Sequence, residues 1–130
     1  MRRAAPSEHQ EQVVVISWWA HACKGYKLPE FALLAIPNAA KRSYALAARM
    51  RKEGLRAGVP DLFLAVPHTW TTAGLESAHI PGLWIEMKRK PNKPSPEQAV
   101  VLLYLRQHGY HAVIAWSADE AIRAIKGYLA

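Results

Sequence analysis

Cysteine is nearly absent. A single thiol, Cys23, in 130 residues leaves no partner for an internal disulfide and no paired-cysteine zinc pattern, so a reducing compartment is expected, with Cys23 buried and inert. Long hydrophobic runs are missing too: the longest, Val13 to Ile16 continued by Trp18, Trp19 and Ala20, stops short of the ~20 residues that a bilayer demands. The chain opens Met-Arg-Arg but goes on through Ser7, Glu8, His9 and Gln10, without the apolar centre of a secretory signal. A cytoplasmic protein with no membrane partner is the expectation. No internal repeat or low-complexity segment interrupts the chain, and acids are scarce. Ten Asp and Glu face seventeen Lys and Arg, a formal charge of +7, which favours an anionic partner such as a nucleic acid and reports on association, not on fold.

What is present reads as one domain spanning residues 1–130, a size that buries about two-thirds of its unfolded surface. Ser7 and Gln10 have capping-box spacing and predict a first helix over 8–24. The apolar run 31–36 ends at Pro37-Asn38 and predicts a buried strand. A basic helix follows over 41–55, with Tyr44, Ala47, Ala48 and Met50 on its packing face and Gly54 at its end. Two runs of strand length, 61–66 after Pro60 and 83–88, read as a hairpin with a long tip. Ser95-Pro96-Glu97-Gln98 joins an N-cap, a first-turn proline and a capping-box glutamine. After Gly109 come a strand over 111–116 and a helix from Ser117 with Ile122, Ile125 and Leu129 as its apolar stripe. The order is α, β, α, β, β, α, β, α.

Within a strand, Glu86 and Lys88 point to one face while Met87 points into the core. If the strand starting at Asp61 pairs with this one, a second carboxylate reaches the same place. Two carboxylates with waters and a phosphate oxygen make a hard oxygen site suited to Mg²⁺, with Mn²⁺ able to substitute. Such an ion polarises a phosphodiester and lowers the pKa of a bound water, and Lys88 orients that water. The plainer reading makes Glu86 and Lys88 solvent-facing strand residues and Asp61 a turn residue after Pro60.

The set taken in order is more telling than any part. The stretch 54–64 (GLRAGVPDLFL), then 83–88 (LWIEMK), Ser95-Pro-Glu-Gln98 and Gly109-Tyr110 closely resemble the virus-type replication-repair nuclease (VRR-NUC) domain. The resemblance runs from Glu8 to about Leu129 and includes Ile36-Pro-Asn38 with Lys41-Arg42, an element of phage-type members. It implies an α/β fold of the restriction-endonuclease-like PD-(D/E)XK kind, a mixed central sheet flanked by helices. It also implies a divalent-metal-dependent endonuclease and, for small members, a homodimer that cuts branched DNA such as four-way (Holliday) junctions. Carried over by residue, Asp61 and Glu86 match the metal-binding carboxylates, Lys88 the catalytic lysine and Gln98 a glutamine opening the next helix; the Met87 carbonyl is a further candidate ligand. The family's first-helix acid falls on Glu8, whose spacing to Gln12 fits better than that of Glu11. Glu8 is equally a favourable first-turn acid, and Gln98 is equally a capping residue.

DNA contacts are expected from Lys41, Arg42 and Arg49 on the second helix and from Arg89, Lys90 and Lys93 beside the active strand, since phosphate binding needs clustered cations. Trp18, Trp19, Trp84 and Trp116 read as core or interface residues. Trp70, in the loop between the paired strands, either inserts at a junction or anchors the loop. Neither His21 with Cys23 nor His108 with His111 supplies a zinc set. Two other readings share the surface: a DNA-binding module without turnover, and a nuclease for linear DNA.

Overall fold

A computed structural model describes residues 5–37, 43–72 and 74–130. Lys41, Arg42 and Asn38 lie outside the described residues, as does the side chain of Trp70.

The capping signals act where they stand. Ser7 Oγ accepts the Gln10 N–H at 3.1 Å and Gln10 Oε1 accepts the Ser7 N–H at 2.8 Å, which satisfies donors that a helix start leaves open. Helix α1 then runs Glu8–Ala22 and passes into a 3₁₀ turn over Cys23–Tyr26. Val15 and Trp19 form its buried side, and Cys23 is buried beside them. A 3₁₀ turn over Glu30–Ala32 takes the first half of the expected strand, tied to α1 by Trp19 Nε1 donating to the Glu30 carbonyl at 2.9 Å. Strand β1 is therefore only Leu33–Ala35.

Helix α2 covers Tyr44–Lys52, capped by Ser43. Ala47 is its buried residue, while Tyr44 is 87% exposed, so Tyr44 does not belong to the packing face expected of it. Strands β2 (Leu62–Leu64) and β5 (Leu83–Met87) pair antiparallel, as the hairpin reading requires. The tip is not a loop: β3 (His68–Thr72) and β4 (Leu75–Ile80) form a two-stranded ladder turning at Gly74 (φ +78°). The β-branched and aromatic run Thr69-Trp-Thr-Thr72 and a turn glycine give this element its propensity. Tyr128 Oη donates to the Val66 carbonyl at 2.6 Å, with the Ile80 carbonyl at 3.3 Å, and so pins the hairpin's base.

Helix α3 (Pro96–Gln107) crosses over to β6 (His111–Ala115), which lies parallel to β5, and α4 (Ala118–Leu129) ends the chain. The sheet order is β1-β2-β5-β6. Leu62, Leu64, Leu83, Ile85 and Met87 are buried in one cluster with Val15 and Trp19 of α1 and Ala121, Ile125 and Tyr128 of α4. Alternation puts Phe63, Trp84 and Glu86 on the other face, where Leu102 and Leu105 of α3 pack with Ala112 and Trp84. The fully buried side of α4 is Ala118, Ala121, Ile125 and Tyr128, turned from the expected stripe, of which Ile125 is buried and Leu129 packs partly buried against the same cluster. The architecture is the mixed sheet between helices that the sequence led one to expect.

Candidate active site

The register sets the centre. Leu62 sits across from Ile85, so one step outward Asp61 comes opposite Glu86, each on the face that α3 covers. Asp61 Oδ2 accepts the Met87 N–H at 2.7 Å. Pro60, fully buried, fixes the approach to it.

Among the described residues, Glu86 is the buried charged residue of the core, 2% exposed. Its Oε1 accepts from Gln98 Nε2 at 2.9 Å and lies 3.9 Å from Lys88 Nζ. Its Oε2 is buried and receives no hydrogen bond. Burial and then the charge of Asp61 push the Glu86 carboxyl from 4.5 up to about 8, with Lys88 pulling it back and Glu8 adding to the repulsion. Two crowded carboxylates with one partly buried lysine are short of positive charge. A carboxylate oxygen that is buried, has no donor and faces a second acid suits a hard divalent cation.

Among the described residues, no three His, Cys, Asp or Glu side chains form a set able to hold an ion alone. The residues present fit an open site in which Asp61 and Glu86 supply two ligands and water and substrate oxygens the rest, the habit of Mg²⁺.

Helix α1 brings its first turn to the same place. Glu8 Oε1 accepts the Arg89 N–H at 3.3 Å, just beyond β5. Glu11 is committed elsewhere: its Oε2 accepts the Ala118 N–H at 2.5 Å at the start of α4. The structure thus places Glu8, and not Glu11, beside the carboxylate pair. Ser7, Glu8, His9, Arg89 and Asn92 line an open cleft of about 320 Å³. His9 and Asn92 carried no signal in the sequence beyond being polar. Trp116 reaches this loop as well, its Nε1 donating to the Asn92 carbonyl at 3.2 Å, a contact no local pattern foretells.

Arg89, Lys90 and Lys93 are exposed on the segment between β5 and α3, next to Lys88. Arg49 is exposed on α2 and pairs with Glu53 at 3.3 Å, so it is not grouped with them. A hollow of about 360 Å³ lined by His68, His111, Arg123 and Tyr128 lies toward the other end of β5 and shares no residue with the carboxylate site.

The sequence profile of the VRR-NUC domain matches residues 6–119. A solved structure titled "VRR_NUC domain protein" is similar in fold, with a TM-score of 0.76 and 25% identity over 97% of this chain and 90% of that one. No curated protein matches.

Proposed function

The chain belongs to the VRR-NUC family of nuclease domains, within the PD-(D/E)XK fold, and from that premise we propose a divalent-metal-dependent endodeoxyribonuclease selective for branched DNA. Its nuclease character and DNA substrate follow from the family. The observation that carries the metal dependence is the crowding of Asp61 against the buried Glu86, whose Oε2 has no donor and whose proton is held up to about 8.

Asp61 and Glu86, with the Met87 carbonyl, would hold Mg²⁺ or Mn²⁺. When bound, the ion supplies Lewis-acid polarisation of the phosphate and a more acidic water. Lys88, at 3.9 Å from Glu86, orients the attacking water and offsets charge gathering on the phosphorus. Gln98 keeps Glu86 in one rotamer through its 2.9 Å bond. Glu8 adds a third acid at the rim. Arg89, Lys90 and Lys93, exposed beside Lys88, hold phosphates next to the site; Arg49, and Lys41 and Arg42 outside the described residues, are proposed as further phosphate contacts.

Selectivity for branches is assigned to a homodimer with two active sites facing opposed strands. Exposed apolar residues on the outer side of α3, Val100 at 67%, Leu103 at 56% and Tyr104 at 56%, support a self-associating surface. A crowded carboxylate pair beside phosphates speaks against a module that only binds.

The test is a substrate panel: labelled four-way junctions, flaps and linear duplexes with Mg²⁺, Mn²⁺ or EDTA, alongside sedimentation of the free protein. Metal-dependent cuts concentrated at junctions, made by a dimer, bear the proposal out. Equal cutting of linear duplex removes the branch selectivity, and binding without cleavage removes the activity.

A further inference from the structure

Four glycines have a positive φ: Gly54, Gly58, Gly74 and Gly109. Three of them stand in open space, where an added Cβ would meet nothing within 4 Å. Gly58 does not. A Cβ there would lie 2.7 Å from the Glu97 carbonyl oxygen, 2.8 Å from its carbon and 3.1 Å from the Gln98 nitrogen. All three are backbone atoms of α3's first turn and cannot swing aside.

The two chain segments that meet at this contact each lead directly to the site. Toward one side, Val59 and the fully buried Pro60 run to Asp61; proline's fixed φ leaves little slack in that span. On the other side, the touched peptide belongs to Gln98, whose Oε1 is held by the Ser95 N–H at 2.8 Å and whose Nε2 reaches Glu86 at 2.9 Å. Moving the Gln98 backbone while its capping bonds persist would carry the amide off Glu86.

We propose that Gly58 is a positioning residue for the carboxylate pair: its bare Cα lets the turn before Asp61 seat against the Glu97–Gln98 peptide, which fixes Asp61 and Gln98 on either side of Glu86. The proposal rests on the metal-dependent reading above. Gly58 touches neither metal nor substrate and acts through Asp61 and Gln98.

The experiment compares Gly58→Ala with Gly109→Ala in the full chain. Their φ values, +87° and +89°, strain an alanine at either position, but only Gly58 adds the clash. Mn²⁺ affinity is measured by calorimetry, and the Gln98 Nε2–Glu86 Oε1 separation in metal-free crystals. Both variants should melt below wild type. Only Gly58→Ala should lose Mn²⁺ affinity, by about 10- to 100-fold as for other supports of metal ligands, with the Gln98–Glu86 hydrogen bond broken. Gly58→Ala that binds Mn²⁺ as tightly as Gly109→Ala and keeps the bond overturns the clamp. If Gly58→Ala does not fold, Pro60→Ala, which slackens the span without a clash, should show the same loss of affinity, and wild-type affinity there overturns it. Wild-type protein that binds no Mn²⁺ sinks the metal reading instead, and the clamp then stands or falls on the separation.

Discussion

Gln98 donates its Nε2–H to Glu86 Oε1 at 2.9 Å while its Oε1 closes the capping box on the Ser95 N–H at 2.8 Å. One amide thus satisfies the N-cap donor of a helix and restrains the most buried acid among the described residues. The two jobs separate by mutation. Ser95→Ala should lose about 1 kcal/mol of stability, the usual loss of a serine cap, and keep cleavage. Gln98→Ala should weaken metal binding about 10- to 100-fold. Urea melts and calorimetry on the two variants check this.

Glu86 gives the metal-free protein a definite pH response. Its folded pKa, about 8, is above the unfolded 4.5, so its contribution to stability is whole below the lower value. It falls as pH rises between them, where the unfolded chain ionises and the folded one keeps its proton, and levels off above. Melts in EDTA should therefore drop from pH 5 to pH 8 in wild type and less in Glu86→Gln. Binding an ion displaces that proton, so Mn²⁺ affinity should rise with pH up to about 8.

Lys88 lowers the Glu86 pKa by its charge. Lys88→Met should lower kcat about 10²- to 10⁴-fold, the usual worth of a proton-handling or charge-stabilising group. It should also move the pH dependence of metal binding upward. A rate loss with no displacement of the pH profile would restrict Lys88 to a contact with substrate.

Two acids on α1 should behave oppositely. Glu11 caps α4 through the Ala118 N–H, so Glu11→Ala should destabilise the fold by about 1–2 kcal/mol, the range for leaving a part-buried donor unpaired, and spare kcat. Glu8→Gln should leave the melting temperature near wild type and reduce cleavage. Parallel melts and single-turnover rates decide the pair.

Much of this was legible in the sequence because the signals are local. Ser7-Gln10 and Ser95-Gln98 are capping boxes wherever they stand, and the spacing of Glu86, Met87 and Lys88 fixes which way each points once a strand is granted. Other features needed the chain to fold. The short β1 follows from Trp19 bonding a turn that sequence alone reads as strand, and the turned stripe of α4 follows from Tyr128 reaching back to the β3–β4 hairpin. That hairpin was hidden inside a segment whose Thr, Gly and His content reads as loop. In the site, Glu8 and Glu11 differ only in which distant amide each meets, Arg89 or Ala118. Nothing local marks Gly58, because the peptide it packs against, Glu97–Gln98, is far along the chain.

The central claim is that Asp61 and Glu86 hold a divalent cation that cleavage requires, and the most direct measurement is a four-way junction cut under single-turnover conditions across a Mg²⁺ titration, for wild type, Asp61→Asn and Glu86→Gln. Wild type should cut in proportion to a saturable metal site that EDTA abolishes, and both variants should fold, bind the junction and fail to cut. Undiminished cutting by either variant, or cutting by wild type in EDTA, would contradict it.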